Sequence, residues 1–160
     1  SQEMTNYFVI RMEEKKHQSS FLTSNNIAYR AEAFRRAGGF DERFRKAGGE
    51  ERALNCAIIA NGGTTMLARD IVVEHYHQMN LFSFFRQHRN YGRGAYLLQK
   101  IVSNEIKTDP QAIPFDVYIG FTGSLFTSNP IKGIAKLLLL ISAQVMATTG
   151  YFMQMFSSAK

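Results

Sequence analysis

The stretch AGGFDERFRKAGGEERAL, residues 37–54, decides how we expect the chain to fold. Two Ala-Gly-Gly triplets enclose a charged loop, and the second triplet precedes two adjacent carboxylates, Glu50 and Glu51, at a predicted helix start. Because glycine takes positive φ without steric cost, a Gly-Gly pair lets the backbone turn tightly or approach a ligand. Acidic residues in a first helical turn are also favoured by the helix dipole alone. The floor of a binding site and a plain helix cap are both open at this point.

Length and composition describe an ordinary folded unit. The 160 residues are 45% hydrophobic and 20% charged, which argues against a disordered chain, and the single cysteine, Cys56, argues against an internal disulfide. A formal charge of +6 favours partners that carry phosphate, namely nucleic acid, a nucleotide diphosphate or an anionic lipid surface. The first twenty residues lack the basic tip and apolar run of a signal peptide, so we expect them to lie inside a longer protein.

Apolar spacing in the first half of the chain predicts alternating helices and β segments. Helices are expected at residues 3–16, 31–37 and 50–60, the last apolar nearly all round and therefore buried. Two β segments are expected at residues 64–68 and 71–76. This order predicts an α/β layer.

Two groups of polar residues lie within these predicted elements. In the segment 21–29 a polar centre holds Asn25 and Asn26, whose amides would either face a site or satisfy a turn. The second β segment carries His75, with His77 two residues on, so that both rings would share one face of a strand. An isolated strand histidine is more often a packed or surface residue than a ligand.

The last third of the chain differs in composition. Residues 104–114 carry two of the three prolines and are the best linker candidate, and residues 137–156 hold no charge. That length suffices to cross a hydrocarbon core, and Lys132 and Lys136 precede it where they would meet lipid head groups. Membrane association, spanning or interfacial, is expected, with a hairpin buried in a larger assembly as the alternative.

Three motifs in order resemble a known enzyme family. The strings SNNIAYRAEAFRRAGGFDERFRKAGGEERALNCAIIANGG, ARDIVVEHYHQ and FFRQHRNYGRG, within residues 21–94, are similar to the acceptor-side half of a family-2 glycosyltransferase of the GT-A (Rossmann-like) fold. The resemblance implies an inverting enzyme of cell-envelope polysaccharide synthesis. It would move a sugar from a nucleotide-diphosphate donor, with a divalent metal (Mn or Mg), to a hydroxyl of a lipid-linked or saccharide acceptor.

The resemblance also implies roles for the residues around the second glycine pair. Glu51 stands where the family pattern Gly-Gly-Glu-Asp has its catalytic base, so a longer carboxylate replaces the usual aspartate. A change of reach matters because base catalysis depends on geometry before pKa. Acceptor binding would fall to Glu50, Gly48, Gly49 and Asn25.

Donor binding is implied for residues further along the chain. His75 matches a histidine that joins the metal cluster in many members, and imidazole suits Mn²⁺. Arg89 and Arg93 lie four residues apart on one predicted helical face, where with Gln87 they would contact the donor diphosphate. A solvated basic face is the alternative.

The family's Asp-x-Asp metal motif does not occur in this sequence. We therefore expect residues 1–103 to form the acceptor-side half of a glycosyltransferase domain, residues 104–114 a linker, and residues 115–160 an apolar helical tail at the membrane. The active site would lie on the cytoplasmic side, and a missing donor-binding half would be needed for turnover. A non-catalytic membrane accessory is the rival function. Nucleic acid is not expected as a partner, since the basic residues are spread out and no reader motif occurs.

Overall fold

Six α-helices make up most of the chain in a computed structural model that describes residues 2–16, 19–46, 48–74, 79–109, 112–127 and 129–158. They are α1 Gln2–Lys16, α2 Ala31–Arg36, α3 Glu50–Ala60, α4 Leu81–Ile101, α5 Phe115–Ser124 and α6 Pro130–Ser157. A 3₁₀ turn occupies Ser24–Asn26, and α4 continues directly into a π-helical turn at Val102–Ile106. The helices predicted at residues 3–16, 31–37 and 50–60 are therefore confirmed within one residue at each end.

Polar caps explain where the two longest helices begin. The Asn80 side chain accepts a hydrogen bond of 2.9 Å from the Ser83 backbone N–H at the start of α4. Asn129 accepts one of 3.0 Å from Lys132 N–H at the start of α6, where Pro130 supplies a first residue that needs no hydrogen-bonded N–H. Each cap satisfies a backbone donor that the helix itself leaves without a partner.

Two apolar clusters hold the helices together. One joins α1, α5 and α6 through Phe8, Val117, Phe121, Leu125 and Leu140. The other joins α3, α4 and the π-helical turn through Ala53, Cys56, Leu98 and Val102. The two clusters are connected because α6 also packs along α4.

The predicted α/β fold is wrong, because the described residues contain no β-strand and the fold is all-helical. Residues 63–68 and 71–74 have no regular structure, and the part of the second β segment at 75–76 lies outside the described residues. Ile71, Val72 and Val73 are 65%, 79% and 52% exposed, so neither face of that segment is covered. A β-strand needs a neighbouring strand to receive its backbone hydrogen bonds, and apolar alternation alone does not supply one.

The C-terminal third consists of α5 and α6. By length and composition α6 could cross a membrane. Only 17% of its most apolar 18-residue stretch is buried within the protein. This is consistent with membrane association. Since α6 packs along α4, the predicted tail shares contacts with residues 1–103, and the proposed division at 104–114 stays a prediction.

Candidate active site at the start of α3

The second glycine pair forms a tight turn that leads into α3. Gly48 and Gly49 have φ of 141° and 105°, values that side-chain-bearing residues rarely adopt. Gly49 is the N-cap, and its carbonyl accepts the first helical hydrogen bond, 2.9 Å from Ala53 N–H. The glycines therefore fix the direction in which Glu50 and Glu51 leave the helix start.

This turn lies directly against the backbone of α4. A Cβ added to Gly94 would lie 1.4 Å from the Gly48 carbonyl oxygen, and one added to Gly48 would lie 3.0 Å from Tyr91 Cα. A Cβ added to Gly49 would lie 3.3 Å from the Gly94 carbonyl oxygen. Glycine on both sides is what allows two backbones to come this close.

Glu50 stabilises the turn. One carboxylate oxygen, Oε2, accepts a hydrogen bond of 2.7 Å from Gly48 N–H. That contact satisfies a backbone donor ahead of the helix and places negative charge near the positive end of the α3 dipole. The helix-cap interpretation therefore applies to Glu50, and its predicted contact with an acceptor stays a prediction.

Glu51 has a different environment from its neighbour. Its side chain is half-buried, and burial raises the pKa of its carboxyl above the ordinary range, with a further rise from the charge of Glu50. A hydrogen bond from its own backbone N–H, the charge of Arg52 and the backbone of Gly49 oppose this rise in the pKa. Burial and the nearby Glu51 charge also raise the pKa of Tyr29, to about 12. Burial raises the pKa of Tyr91 as well, its hydrogen bond with Gln87 opposes that rise, and the charges of Glu51 and Glu50 add to it. Two tyrosines thus lie within electrostatic range of the Glu51 carboxylate.

A buried asparagine ties Tyr29 to α3. Asn55 is 0% exposed and donates through Nδ2 to the carbonyls of Ser20 and Leu22, both at 3.2 Å. Its Oδ1 accepts a hydrogen bond of 3.0 Å from the Tyr29 hydroxyl. The segment 19–23 and Tyr29 are therefore held against the helix that carries Glu51.

Sequence reasoning missed Asn55, Tyr29 and the role of Tyr91. One signal was available: Asn55 is a polar residue inside the apolar run of α3, and a buried amide must be hydrogen-bonded. That would have pointed to polar partners for the helix, although not to Tyr29 in particular.

Asn25 is used within its own turn. Its side-chain oxygen accepts a hydrogen bond from the Thr23 hydroxyl, and the neighbouring Asn26 donates to the Ile71 carbonyl at 3.0 Å. Of the two alternatives for this polar centre, these contacts favour turn formation. An acceptor-binding role for Asn25 stays a prediction.

The predicted diphosphate-binding residues are divided between two sides of α4. Gln87 donates to the Tyr91 hydroxyl, and the Tyr91 backbone contacts the glycine turn. The backbone of Arg89 instead contacts α6, where a Cβ on Gly150 would lie 1.9 Å from the Arg89 carbonyl oxygen. The Nε atoms of Arg89 and Arg93 are buried and have no hydrogen-bond partner within the described part of the chain. The structure thus joins Gln87 to the turn and places the Arg89 backbone on the α6 side.

The residues described do not form a metal site. Among the residues that the structure describes, no three His, Cys, Asp or Glu side chains lie close enough together to hold a metal ion. The predicted ligand His75, and His77 beside it, lie outside the described residues. The shared cleft expected for Glu51 and His75, like the divalent metal, stays a prediction.

Comparison with known proteins assigns no family. No protein-family model, no curated protein and no solved structure matches this chain. The resemblance to family-2 glycosyltransferases rests on the three sequence motifs alone.

Proposed function

We propose that this protein takes part in sugar transfer from a nucleotide-diphosphate donor to a hydroxyl of a lipid-linked or saccharide acceptor, with Glu51 as the catalytic base. The observation that supports this most is the half-buried Glu51 carboxylate with its raised pKa, in the first turn of α3 directly after a glycine turn that lies against the α4 backbone. A base works best when its pKa lies nearer to the operating pH, and burial moves a glutamate in that direction.

In the proposed reaction the acceptor O–H bond breaks as its proton passes to a Glu51 carboxylate oxygen. The acceptor oxygen forms a bond to the anomeric carbon of the donor sugar. The bond from that carbon to the diphosphate oxygen breaks, and the oxygen leaves with the electron pair. Attack from the side opposite the leaving group inverts the anomeric configuration.

Other groups in the site have supporting parts in this scheme. Tyr29, fixed by Asn55, and Tyr91, fixed by Gln87, have hydroxyls within electrostatic range of Glu51 and are suited to orient the acceptor. Arg89 and Arg93 remain candidates to neutralise the departing diphosphate. The sequence has no Asp-x-Asp motif to hold the donor's metal, so donor binding would need groups that the described residues do not supply. We place the active site on the cytoplasmic side of a membrane, where α6 would associate.

The test is sugar transfer in membranes from cells that naturally produce the protein, with the chromosomal gene altered and a panel of labelled nucleotide sugars as donors. Glu51→Gln keeps the size of the side chain and removes its basicity, so the rate should fall by roughly 10²–10⁴-fold. Glu51→Asp should retain a measurable rate because the shorter acid still accepts a proton. Glu42→Gln, an exposed acid in the preceding loop, serves as the matched control and should leave the rate unchanged.

A non-catalytic membrane-associated accessory is the second candidate. It is favoured by the contact of Glu50 with Gly48 N–H, which gives one of the two carboxylates a structural use. Transfer that continues at the full rate in Glu51→Gln would select this function over catalysis. Sugar transfer by the isolated chain would contradict the need for further donor-binding groups.

A further inference from the structure

The outer face of α6 carries a continuous row of large apolar side chains. We call it the apolar stripe; its members are at least 48% exposed and recur every three, four or seven residues: Ile131, Ile134, Leu138, Ile141, Val145 and Phe152. At 3.6 residues per turn this spacing keeps them on one side of the helix. Exposed apolar surface of this extent marks a surface that is covered by something in the cell.

Three hydroxyl groups on α6 are satisfied by the helix backbone itself. Ser142 donates to the Leu138 carbonyl and Thr149 to the Val145 carbonyl, each at 2.8 Å. Nearer the end of the helix, Ser157 donates to the Met153 carbonyl at 2.8 Å. A serine or threonine that bonds to the carbonyl four residues earlier needs no water, and groups in contact with lipid must be satisfied in this way.

The charges around α6 favour an anionic lipid surface as the occupant. Asp116 is the last acidic residue of the sequence, and Lys132 and Lys136 lie in the first two turns of α6. Both lysines lie on the side of α6 away from the apolar stripe, about one helix diameter above the acyl boundary when the stripe enters it. At that height they are still within a Debye length of acidic head groups, which attract them.

The packing of α4 decides how α6 lies in the membrane. The uncharged residues 137–156 measure about 30 Å along a helix, enough to span a bilayer. A Cβ on Gly92 would lie 1.8 Å from the Ala147 carbonyl oxygen, so α4 crosses α6 near the middle of that length. A spanning α6 would carry Arg89 and Arg93 to the centre of the bilayer, where each arginine is strongly disfavoured. In the described part of the chain, neither arginine has an ion pair to offset that cost.

We propose that α6 lies in the plane of an anionic membrane surface, with the apolar stripe in the boundary between head groups and acyl chains and α4 on the aqueous side. This arrangement covers the apolar face without moving the arginines of α4 into the bilayer. It refines the proposed membrane association and does not depend on the proposed sugar transfer.

The sequence contains no tryptophan, so one introduced tryptophan is a unique fluorescent reporter of depth. Ile134→Trp and Val145→Trp, each in the full chain, are mixed with phosphatidylserine/phosphatidylcholine vesicles that carry bromine at known depths on the acyl chains. The in-plane arrangement predicts that both reporters are quenched best by the same shallow bromines. Ala60→Trp, at the exposed end of α3, is the matched control and should show no quenching.

A spanning helix gives a different pattern. The two reporters are eleven residues apart, so their depths would differ by about 16 Å along an upright helix. That result would overturn the in-plane arrangement. Failure to bind vesicles, with a second copy or another protein covering the stripe, would overturn it as well.

The attraction between the lysines and acidic lipid is tested separately. The double variant Lys132→Gln, Lys136→Gln should weaken vesicle binding by up to roughly five-fold for each lysine, the value for charges at the surface itself, and pure phosphatidylcholine vesicles should weaken it similarly. Equal binding to both vesicle types would contradict an anionic partner. Because vesicle binding is measured without donor or acceptor, its outcome is independent of the Glu51→Gln transfer assay.

Discussion

Replacing Gly94 by alanine should separate the glycine turn from α4. The new Cβ would lie 1.4 Å from the Gly48 carbonyl oxygen, so the backbones must part by about 1.6 Å to reach even a 3.0 Å separation. Neither contact atom is the end of a flexible side chain, and overpacking of this kind costs about 1–3 kcal/mol. A helical alanine is also favoured over glycine by up to about 1 kcal/mol, which would hide part of the effect.

Gly123→Ala in α5 is the matched control, because an added Cβ there meets nothing within 4 Å. Gly123→Ala near the end of α5 gains less helix propensity than Gly94→Ala inside α4, so the difference between their free energies of unfolding is a lower limit to the steric cost of about 1–3 kcal/mol. The assay is urea unfolding followed by circular dichroism, where that difference corresponds to a midpoint shift of about 1 M. If Gly94→Ala is as stable as Gly123→Ala, the close approach of the turn to α4 is refuted.

Two further predictions concern α3. Burial raises the pKa of Glu51, so the folded protein holds that proton more tightly than the unfolded chain does. The free energy of unfolding should therefore fall as pH rises from the ordinary glutamate pKa to the raised one, and Glu51→Gln should remove this fall in urea titrations at about pH 4–8. A pH dependence unchanged in the variant would contradict this. Asn55→Ala removes the donor to Ser20 and Leu22 and should lower the free energy of unfolding by about 1–3 kcal/mol. Asn61→Ala, at the exposed C-cap of α3, should cost far less, and equal losses would argue against the buried network.

Local sequence patterns predicted the helices well. Glu50–Ala60 follows from two glycines before it, an apolar interior and Asn61-Gly62 after it, all of which are near neighbours in sequence. The short helix at Ala31–Arg36 ends as expected at Gly38 and Gly39, whose positive φ values of 87° and 72° terminate the helical path. Such signals need no knowledge of distant residues.

The strands could not be judged in the same way. Residues 71–74 have β-forming side chains, but whether a strand forms depends on a partner elsewhere in space. Ile71 to Val73 lack one among the described residues and remain exposed. The error in fold class comes from treating a side-chain preference as if it included its hydrogen-bond partner.

The candidate site was predictable in part. The turn at Gly48-Gly49 and the two carboxylates were identifiable from residue type and spacing. Their division of roles was not, because it depends on which carboxylate reaches Gly48 N–H and which has its pKa raised by burial. Gln87 and Arg89 are two residues apart, so a helix already places them on opposite sides of α4. Which side meets the glycine turn and which meets α6 was beyond the sequence, since it requires the positions of both partners.

Helix α4 touches a different backbone on each of two nearly opposite sides, at Gly92 and at Gly94. Two residues subtend about 200° around an α-helix, so this spacing alone sets the two contacts back to back. Inserting or deleting one residue between them would rotate one contact by about 100° and lose it, even if every side chain were kept. Natural length variation in this protein should therefore occur in the loops on either side of α4 and avoid positions 92–94.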